Sequence, residues 1–341
     1  MKKIFVMMTV CLFTILNCSC GNGQTVKSQS VDTAMGTIIQ QNIYATGEES
    51  RATEEILSLL HRLEEQELSR RLDTSEVWKV NEAAGKAEGS MLSPELAETL
   101  EKCMDVWRQS EGAFDVTLGS VVQLWDIDGW AAGEREEVFE LPEDELLRDA
   151  LKHCGSEKLQ LNGTQLVMQE EMQLDLGAVG KGIALDGILA YLQEQEEITG
   201  AIISVGGSVL TYGEKPDGSC WKVGIVNPSD TAENIGVLSL EGQWCVSTSG
   251  DYERYVEKDG IRYHHIIDPS TGYPADSGVA GVTILTKDGF LSDALSTACF
   301  ILGKDEGMKL AESYGAEALF VEKDGSVSMT KGMKAVYAEA R

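Results

Sequence analysis

The sequence predicts an α+β fold: mixed, largely antiparallel sheets with flanking helices. Three observations carry this. Short apolar runs of strand character dominate after residue 200. Turn pairs such as Asn162-Gly163 and Asp259-Gly260 sit between such runs, where they close hairpins. Strands and helices are mixed, with many antiparallel pairs, and this disfavours a doubly wound parallel sheet.

The elements are expected in this order. Val31 to Tyr44 reads as a strand interrupted at Met35-Gly36-Thr37. Glu48 to Leu68 carries Ile56, Leu59, Leu60 and Leu63 at helical spacing. A loop follows, then a short helix within "SEVWKVN". Ser93 caps a helix from Pro94 to Gln109, with Pro at its first position. Gly112 to Trp125 begins as a turn and becomes helical. Asp126 to Asp144 is acidic and reads as a surface insertion. Leu146 to His153 is a short helix, and Leu159 to Met172 is a hairpin. Asp175 to Gln195 passes from strand through a glycine loop into a helix. Strands are expected at 201–205, 209–212, 221–226, 236–240 and 244–247, with a hairpin over Tyr252 to Ile267. Val279 to Thr286 is another strand, and Ser292 to Leu302 is a helix stopped by Gly303.

The chain has 341 residues, 43% of them hydrophobic, which supports a sizeable core. Its formal net charge is −28. Nucleic-acid binding needs a basic footprint, so that class is excluded. An anionic ligand must instead be held locally, by a metal ion, a helix N-terminus or a placed Lys.

Lys2 and Lys3 precede an apolar run from Ile4 to Leu16. The run is shorter than the roughly 20 residues a membrane span needs, and it fits a secretory signal. "LNCSCGNG" then reads as a lipoprotein cleavage site. Residues 1–19 are the signal peptide, Cys20 is the acceptor of palmitate-type lipid, and Cys18 is the alternative acceptor. Residues 20–30 form a polar tether and 31–341 the folded domain. The expected location is the extracytoplasmic face of the cell membrane. Past Cys20 five cysteines remain, scattered and without C-x-x-C, so neither a zinc site nor a disulfide framework is indicated.

Four segments could carry chemistry. "LDLGAVGKGIALDG" places three glycines in six residues beside Lys181 at a helix start, an arrangement suited to an anion. It is neither a Walker A loop nor G-x-G-x-x-G; a tight turn is the plain alternative. In "LSDALSTACFILG", Asp293 and Thr297 at i, i+4 share a helix face, a donor pair suited to Mg²⁺, although Asp at a helix start also simply favours the dipole. "CVSTSGDYERY" offers small polar residues ahead of Gly250, as a ligand loop or a plain turn. In "RYHHIIDPSTG", His264 and His265 alternate faces on a strand, so at most one meets a given site. A His beside an Asp is a workable acid/base pair.

Taken in order, "MGT", "SEVWKVN", "GAFDVT", "LDLGAVGKGIALD", "ISVGG", "STSGDY", "HHIIDPSTG" and "SDALSTA" resemble the FAD:protein FMN transferase family, the ApbE-like flavin transferases, from about Met35 to Gly303. The resemblance implies a single, T-fold-related catalytic unit. It implies Mg²⁺-dependent cleavage of FAD, transfer of FMN to a Thr or Ser hydroxyl of an acceptor flavoprotein of a membrane redox system, and release of AMP. Met35, Ala113, Phe114, Asp115, Asp175, Lys181 and Ile267 are implied to line the FAD site, with Thr248, Ser249 and Gly250 as further candidates. Ala178 (through its carbonyl), Asp293 and Thr297 are implied metal ligands, with Ser296 beside them. His265 is the implied aid to activating the acceptor hydroxyl, but with no carboxylate evident to orient it the metal is expected to matter more. Arg71 stands where many members carry an aromatic residue against the flavin; a guanidinium also stacks on rings. Two other readings use the same pocket: a metal-dependent FAD pyrophosphatase with water as nucleophile, and a non-enzymatic flavin-binding lipoprotein.

Overall fold

The computed structural model describes residues 25–47, 51–135 and 137–340. The signal segment, Cys18 and Cys20 lie outside the described residues. One sheet of eight strands organises the chain: β1 (Thr25–Ala34), β2 (Thr37–Thr46), β3 (Ile198–Val205), β4 (Ser208–Gly213), β5 (Trp244–Gly250), β6 (Val279–Thr286), β7 (Glu317–Glu322) and β8 (Val327–Met329). The strands lie side by side in chain order, and each neighbouring pair is antiparallel. The α+β expectation holds, and the long excursions of the chain hang from this meander.

The single interrupted strand expected over Val31 to Tyr44 is instead a hairpin. Met35 and Gly36 both take positive φ, 52° and 65°, as a two-residue turn of the primed kind requires. β1 pairs with β2 from Ala34↔Thr37 out to Thr25↔Thr46. Residues 25–30, expected as tether, are therefore paired strand. Their side chains alternate between exposed and half-buried, so backbone pairing rather than burial holds them, and no apolar periodicity announces the strand.

Four helices, α1 (Ala52–Arg62), α2 (Pro94–Gln109), α3 (Gly180–Glu194) and α4 (Gly289–Leu302), pack around one face of the sheet. α1 and α3 cover β1 to β4 through Ile39, Ile43, Leu60, Leu185 and Ile203. α4 covers β6 and β7 through Leu295, Phe300, Ile284 and Phe320, with α2 behind it through Leu100. As expected, Ser93 caps α2, its hydroxyl accepting from Leu96 N–H at 3.1 Å. The other sheet face carries Val246, Leu285 and Leu319, covered by a three-stranded sheet of Trp221–Asn227, Asp230–Leu240 and Tyr337–Glu339.

A smaller lobe forms around Trp125, with Tyr263 stacked on it and Tyr273 edge-on. The acidic stretch from Asp126 is part of this lobe rather than a bare surface insertion. Asp126 turns the chain at φ 42°, Ile127–Ala131 is helical, and Phe139 is buried against Trp130 and Tyr263. Two aromatic anchors outweigh the charge of that segment. Asp175 and its neighbours form a loop, not a strand; only an isolated bridge ties Gln173 to Leu118. The hairpin at Asp259-Gly260 pairs Tyr255–Lys258 with Ile261–His264 and ends before Ile267.

α3 and α4 cross at backbone contact. A Cβ on Gly182 would lie 2.3 Å from the Gly289 carbonyl oxygen, and one on Gly289 would lie 2.4 Å from that of Gly182. Asp186 of α3 accepts the Gly289 and Phe290 N–H groups at 2.6 and 2.8 Å, and Asp288 accepts that of Leu291 at 2.8 Å. These caps fix the first turn of α4 against α3. Four of the five described cysteines are buried, and burial pushes the Cys154 thiol up to about 11 and Cys299 up to about 12, so both are held as inert thiols. Among the described residues, no helix is long and apolar enough to cross a membrane.

Candidate active site

The crossing of α3 and α4 opens into a two-part cleft. An inner chamber between the lobe and α4 is walled by Phe114, Trp125, Ile267 and Ile301. An outer groove runs over the face of the sheet opposite the helices, past Met35, Asn42, Ser204 and Thr248. The two share a wall of Arg71, Asp128, Asp175, Lys181, Glu253 and Arg254. In a strongly acidic chain, this throat collects Arg70, Arg71, Lys181 and Arg254.

Asp293 is buried behind the cleft wall at Lys181, 2% exposed. One of its oxygens accepts the Gly182 N–H at 3.0 Å; the other lies 3.3 Å from Lys181 Nζ and accepts from the Ser208 hydroxyl at 3.4 Å. A buried carboxylate is tolerable only with such partners. Thr297, one helical turn on, lines the inner chamber together with Ala178. A carboxylate, a hydroxyl and a main-chain carbonyl form an all-oxygen donor set, which fits Mg²⁺ rather than a soft transition metal. Ser296 departs from the expectation. It is fully buried, donates to the Asp293 carbonyl at 2.9 Å and meets Ser249 at 2.8 Å, so its hydroxyl serves the helix seam and not the cleft.

The two histidines separate where the strand Ile261–His264 ends, with His265 at the bend just beyond it. His264 is buried, donates through Nε2 to the Ala275 carbonyl at 3.0 Å and packs edge-on against Phe300. Burial holds it down to about 4, so it is a neutral structural residue at neutral pH. His265 lines the inner chamber. Its Nδ1 lies 3.2 Å from the Arg254 carbonyl oxygen, which only accepts. Nδ1 therefore carries the proton and Nε2 keeps its lone pair. Burial, reinforced by the Arg254 and Lys181 charges, holds this imidazole well below the usual histidine range. The orienting group is thus a main-chain carbonyl rather than a carboxylate.

Asp175 accepts from Arg70 Nε at 2.7 Å and from the Gly177 N–H at 2.8 Å, which fixes the glycine loop. Asp115 faces the chamber but spends its carboxylate on Thr117 and Ser156, accepting from their hydroxyls at 2.7 and 2.8 Å; it holds the wall together. Ala113 lines the same chamber. Arg71 reaches Asp128 at 3.1 Å, and Arg254 reaches the other Asp128 oxygen at 2.9 Å, so the throat is bridged by one carboxylate between two guanidiniums. Met35 lines the outer groove only, Thr248 both parts, and Ser249 the inner part. Gly250 lines neither; a Cβ there would strike the Tyr252 ring at 2.4 Å, so its glycine serves packing.

Arg70, Asp128, Glu253 and Arg254 have no individual signal in the sequence. Glu253 lines both parts of the cleft, and no hydrogen bond to its carboxylate is found among the described residues. Burial raises its pKa, while Lys181 and Arg254 oppose the rise. Only its position three residues beyond "STSG" hinted at it.

The model of the ApbE family matches residues 35–320. An FAD:protein FMN transferase of Treponema pallidum (strain Nichols) is 33% identical over 336 residues, covering 92% of this chain and 90% of that protein. One from Vibrio cholerae is 33% identical over 270 residues, covering 79% of this chain and 78% of that protein. The crystal structure of the ApbE protein of Thermotoga maritima superposes with a TM-score of 0.81 at 30% identity, covering 92% of this chain and all of that one. The apo flavinyl transferase ApbE of Pseudomonas stutzeri gives 0.78 at 29% identity, covering 93% of this chain and 98% of that one. With the family model spanning most of its length and these relatives matched nearly end to end, the chain belongs to the ApbE family.

Proposed function

We propose that this protein is an FAD:protein FMN transferase that uses Mg²⁺, releases AMP, and works from a lipid anchor at Cys20 on the extracytoplasmic membrane face, on a flavoprotein of a membrane redox system. The observation that carries the chemistry is that Lys181, Thr297 and His265 line one cleft, with Asp293 buried directly behind Lys181 at 3.3 Å. The apolar chamber walls suit a flat aromatic group of FAD, and Lys181 at the throat offers its pyrophosphate a cation.

Asp293, Thr297 and the Ala178 carbonyl would hold Mg²⁺, which when bound supplies charge neutralisation at the pyrophosphate. Lys181, at the N-terminal end of α3 among free N–H donors, binds phosphate oxygens and holds the FMN phosphorus in place. The acceptor hydroxyl attacks that phosphorus, the bond to the AMP phosphate breaks, and the hydroxyl proton passes to His265 Nε2. A Thr or Ser hydroxyl is a weak nucleophile at neutral pH, so a neutral imidazole with a fixed tautomer is the fitting base. AMP leaves with the electron pair of the broken bond. The test is AMP release from FAD and Mg²⁺ by the wild-type and Asp293→Ala chains with an acceptor peptide present. The wild type is expected to release AMP and the variant to lose it; equal release by both would remove the cation from the mechanism.

A further inference from the structure

Buried hydroxyls line the seam between β5 and α4 in a regular way. Ser247 Oγ lies 2.7 Å from Ser292 Oγ, and Ser249 Oγ lies 2.8 Å from Ser296 Oγ. Two residues along a strand advance about 7 Å and four along a helix about 6 Å, so strand i, i+2 meets helix i, i+4 rung by rung. Each helix rung stands one residue before a cleft oxygen donor: Ser292 before Asp293, Ser296 before Thr297. The second rung reaches its donor, with Ser249 Oγ 3.4 Å from Thr297 Oγ1. The first rung reaches Asp293 through Ser208, the cross-strand neighbour of Ser247 on β4.

The Ser247 and Ser208 hydroxyls point in one direction, toward Asp293. Asp293 only accepts. Ser208 donates to it at 3.4 Å, which leaves the Ser208 oxygen to accept from Ser247 at 3.0 Å. Ser292 gives its one proton to the Gly289 carbonyl, 2.7 Å away, and its oxygen lies 2.7 Å from that of Ser247. Ser208, Ser247 and Ser292 are each 0% exposed. A file of hydroxyls pointed at one carboxylate oxygen, with the Gly182 N–H on the other, fixes the plane of that carboxylate.

We infer that Ser208, backed by Ser247, is a positioning residue that orients Asp293 and thereby sets the affinity of the cleft for a divalent cation. The inference rests on the proposed reading of Asp293 as a cation ligand. The groups that orient metal ligands typically govern about 10–100-fold in metal affinity. The experiment titrates Mg²⁺ calorimetrically into the full-length wild-type protein and into Ser208→Ala, Ser247→Ala and Asp293→Ala. AMP release is then measured against Mg²⁺ concentration, and thermal unfolding in EDTA reports on folding. Ser208→Ala is expected to raise the Mg²⁺ dissociation constant at least about tenfold, with AMP release restored at saturating Mg²⁺. Ser247→Ala should act in the same direction, less strongly. A merely structural hydroxyl would lower turnover at every Mg²⁺ concentration, and that result would overturn the inference. So would Mg²⁺ affinity within about twofold of the wild type in both serine variants while Asp293→Ala abolishes binding. If the wild type and Asp293→Ala bind alike, or neither binds, the underlying reading of Asp293 fails instead, and the inference falls with it.

Discussion

Replacing Gly182 with Ala tests how the cleft is built. The new methyl would stand 2.3 Å from the Gly289 carbonyl oxygen and 2.8 Å from Asp293 Cβ, both of which belong to backbone-anchored groups that cannot swing aside. Relief requires α3 and α4 to separate by roughly 1 Å, given that carbon–oxygen and carbon–carbon contacts relax only beyond about 3.5 Å. Overpacking of this kind costs about 1–3 kcal/mol, against which Ala recovers up to about 1 kcal/mol of helix propensity over Gly. The net expectation is a loss of up to about 2 kcal/mol in stability. Catalysis should suffer more. The same displacement pulls Gly182 N–H away from Asp293, now 3.0 Å distant, and shifts Lys181 relative to that carboxylate. A misplacement near 1 Å costs about 100-fold in rate. Urea unfolding gives the first quantity and AMP release from FAD the second. A Gly182→Ala protein with wild-type turnover would refute the claim that helix contact positions the site.

Other expectations follow from the same geometry. His265→Ala should lower transfer by about 10²–10⁴-fold, while His264→Ala should keep turnover and lose stability; equal losses of turnover in the two would contradict the assignment. Because His265 is held well below the histidine range, kcat/KM should stay level as pH falls through 6.5, with its acid limb further down; a limb at 6.5 would place the base elsewhere. His264, depressed from 6.5 to about 4, contributes stability that is complete above 6.5 and is lost as pH falls toward 4. At about 1.36 kcal/mol per pH unit the whole effect is ~3 kcal/mol. Asp186, raised to about 6, titrates in that range with the opposite sign, since its contribution is lost as pH rises from 3.8. The readout is therefore the difference between wild type and His264→Gln across pH 4–7, and identical pH slopes would contradict it. Arg71→Ala should weaken FAD binding in an equilibrium titration yet change stability by less than about 0.5 kcal/mol, because its pair with Asp128 is half exposed.

The local features of the fold were legible in the sequence. Ser93 and Pro94 announce α2, Asn162-Gly163 and Asp259-Gly260 announce their hairpins, and Gly303 ends α4, because caps and turns depend on a few adjacent residues. The pairing of Asp293 with Thr297 on one helix face follows from helical periodicity alone; His264 and His265 diverge as expected, although the strand ends between them. What escaped depends on residues far apart in the chain. The glycines of "GKG" suggested a phosphate loop; in the structure Gly182 also admits Gly289, more than a hundred positions away. The Arg254 carbonyl that orients His265 has no side-chain signature at all. Ser296 looked like a ligand because it neighbours Thr297, but the pitch of the helix turns it into the seam. Residues 25–30 looked like tether because an edge strand paired only through its backbone needs no apolar pattern.

Mass spectrometry of an acceptor peptide carrying a Ser/Thr-Gly-Ala-Thr site, after incubation with the protein, FAD and Mg²⁺, addresses the central claim most directly. The expected product is an FMN adduct on the hydroxyl of that site, formed in step with AMP and abolished in Asp293→Ala. Free FMN and AMP beside an unmodified peptide would contradict transfer and make the cleft that of a pyrophosphatase.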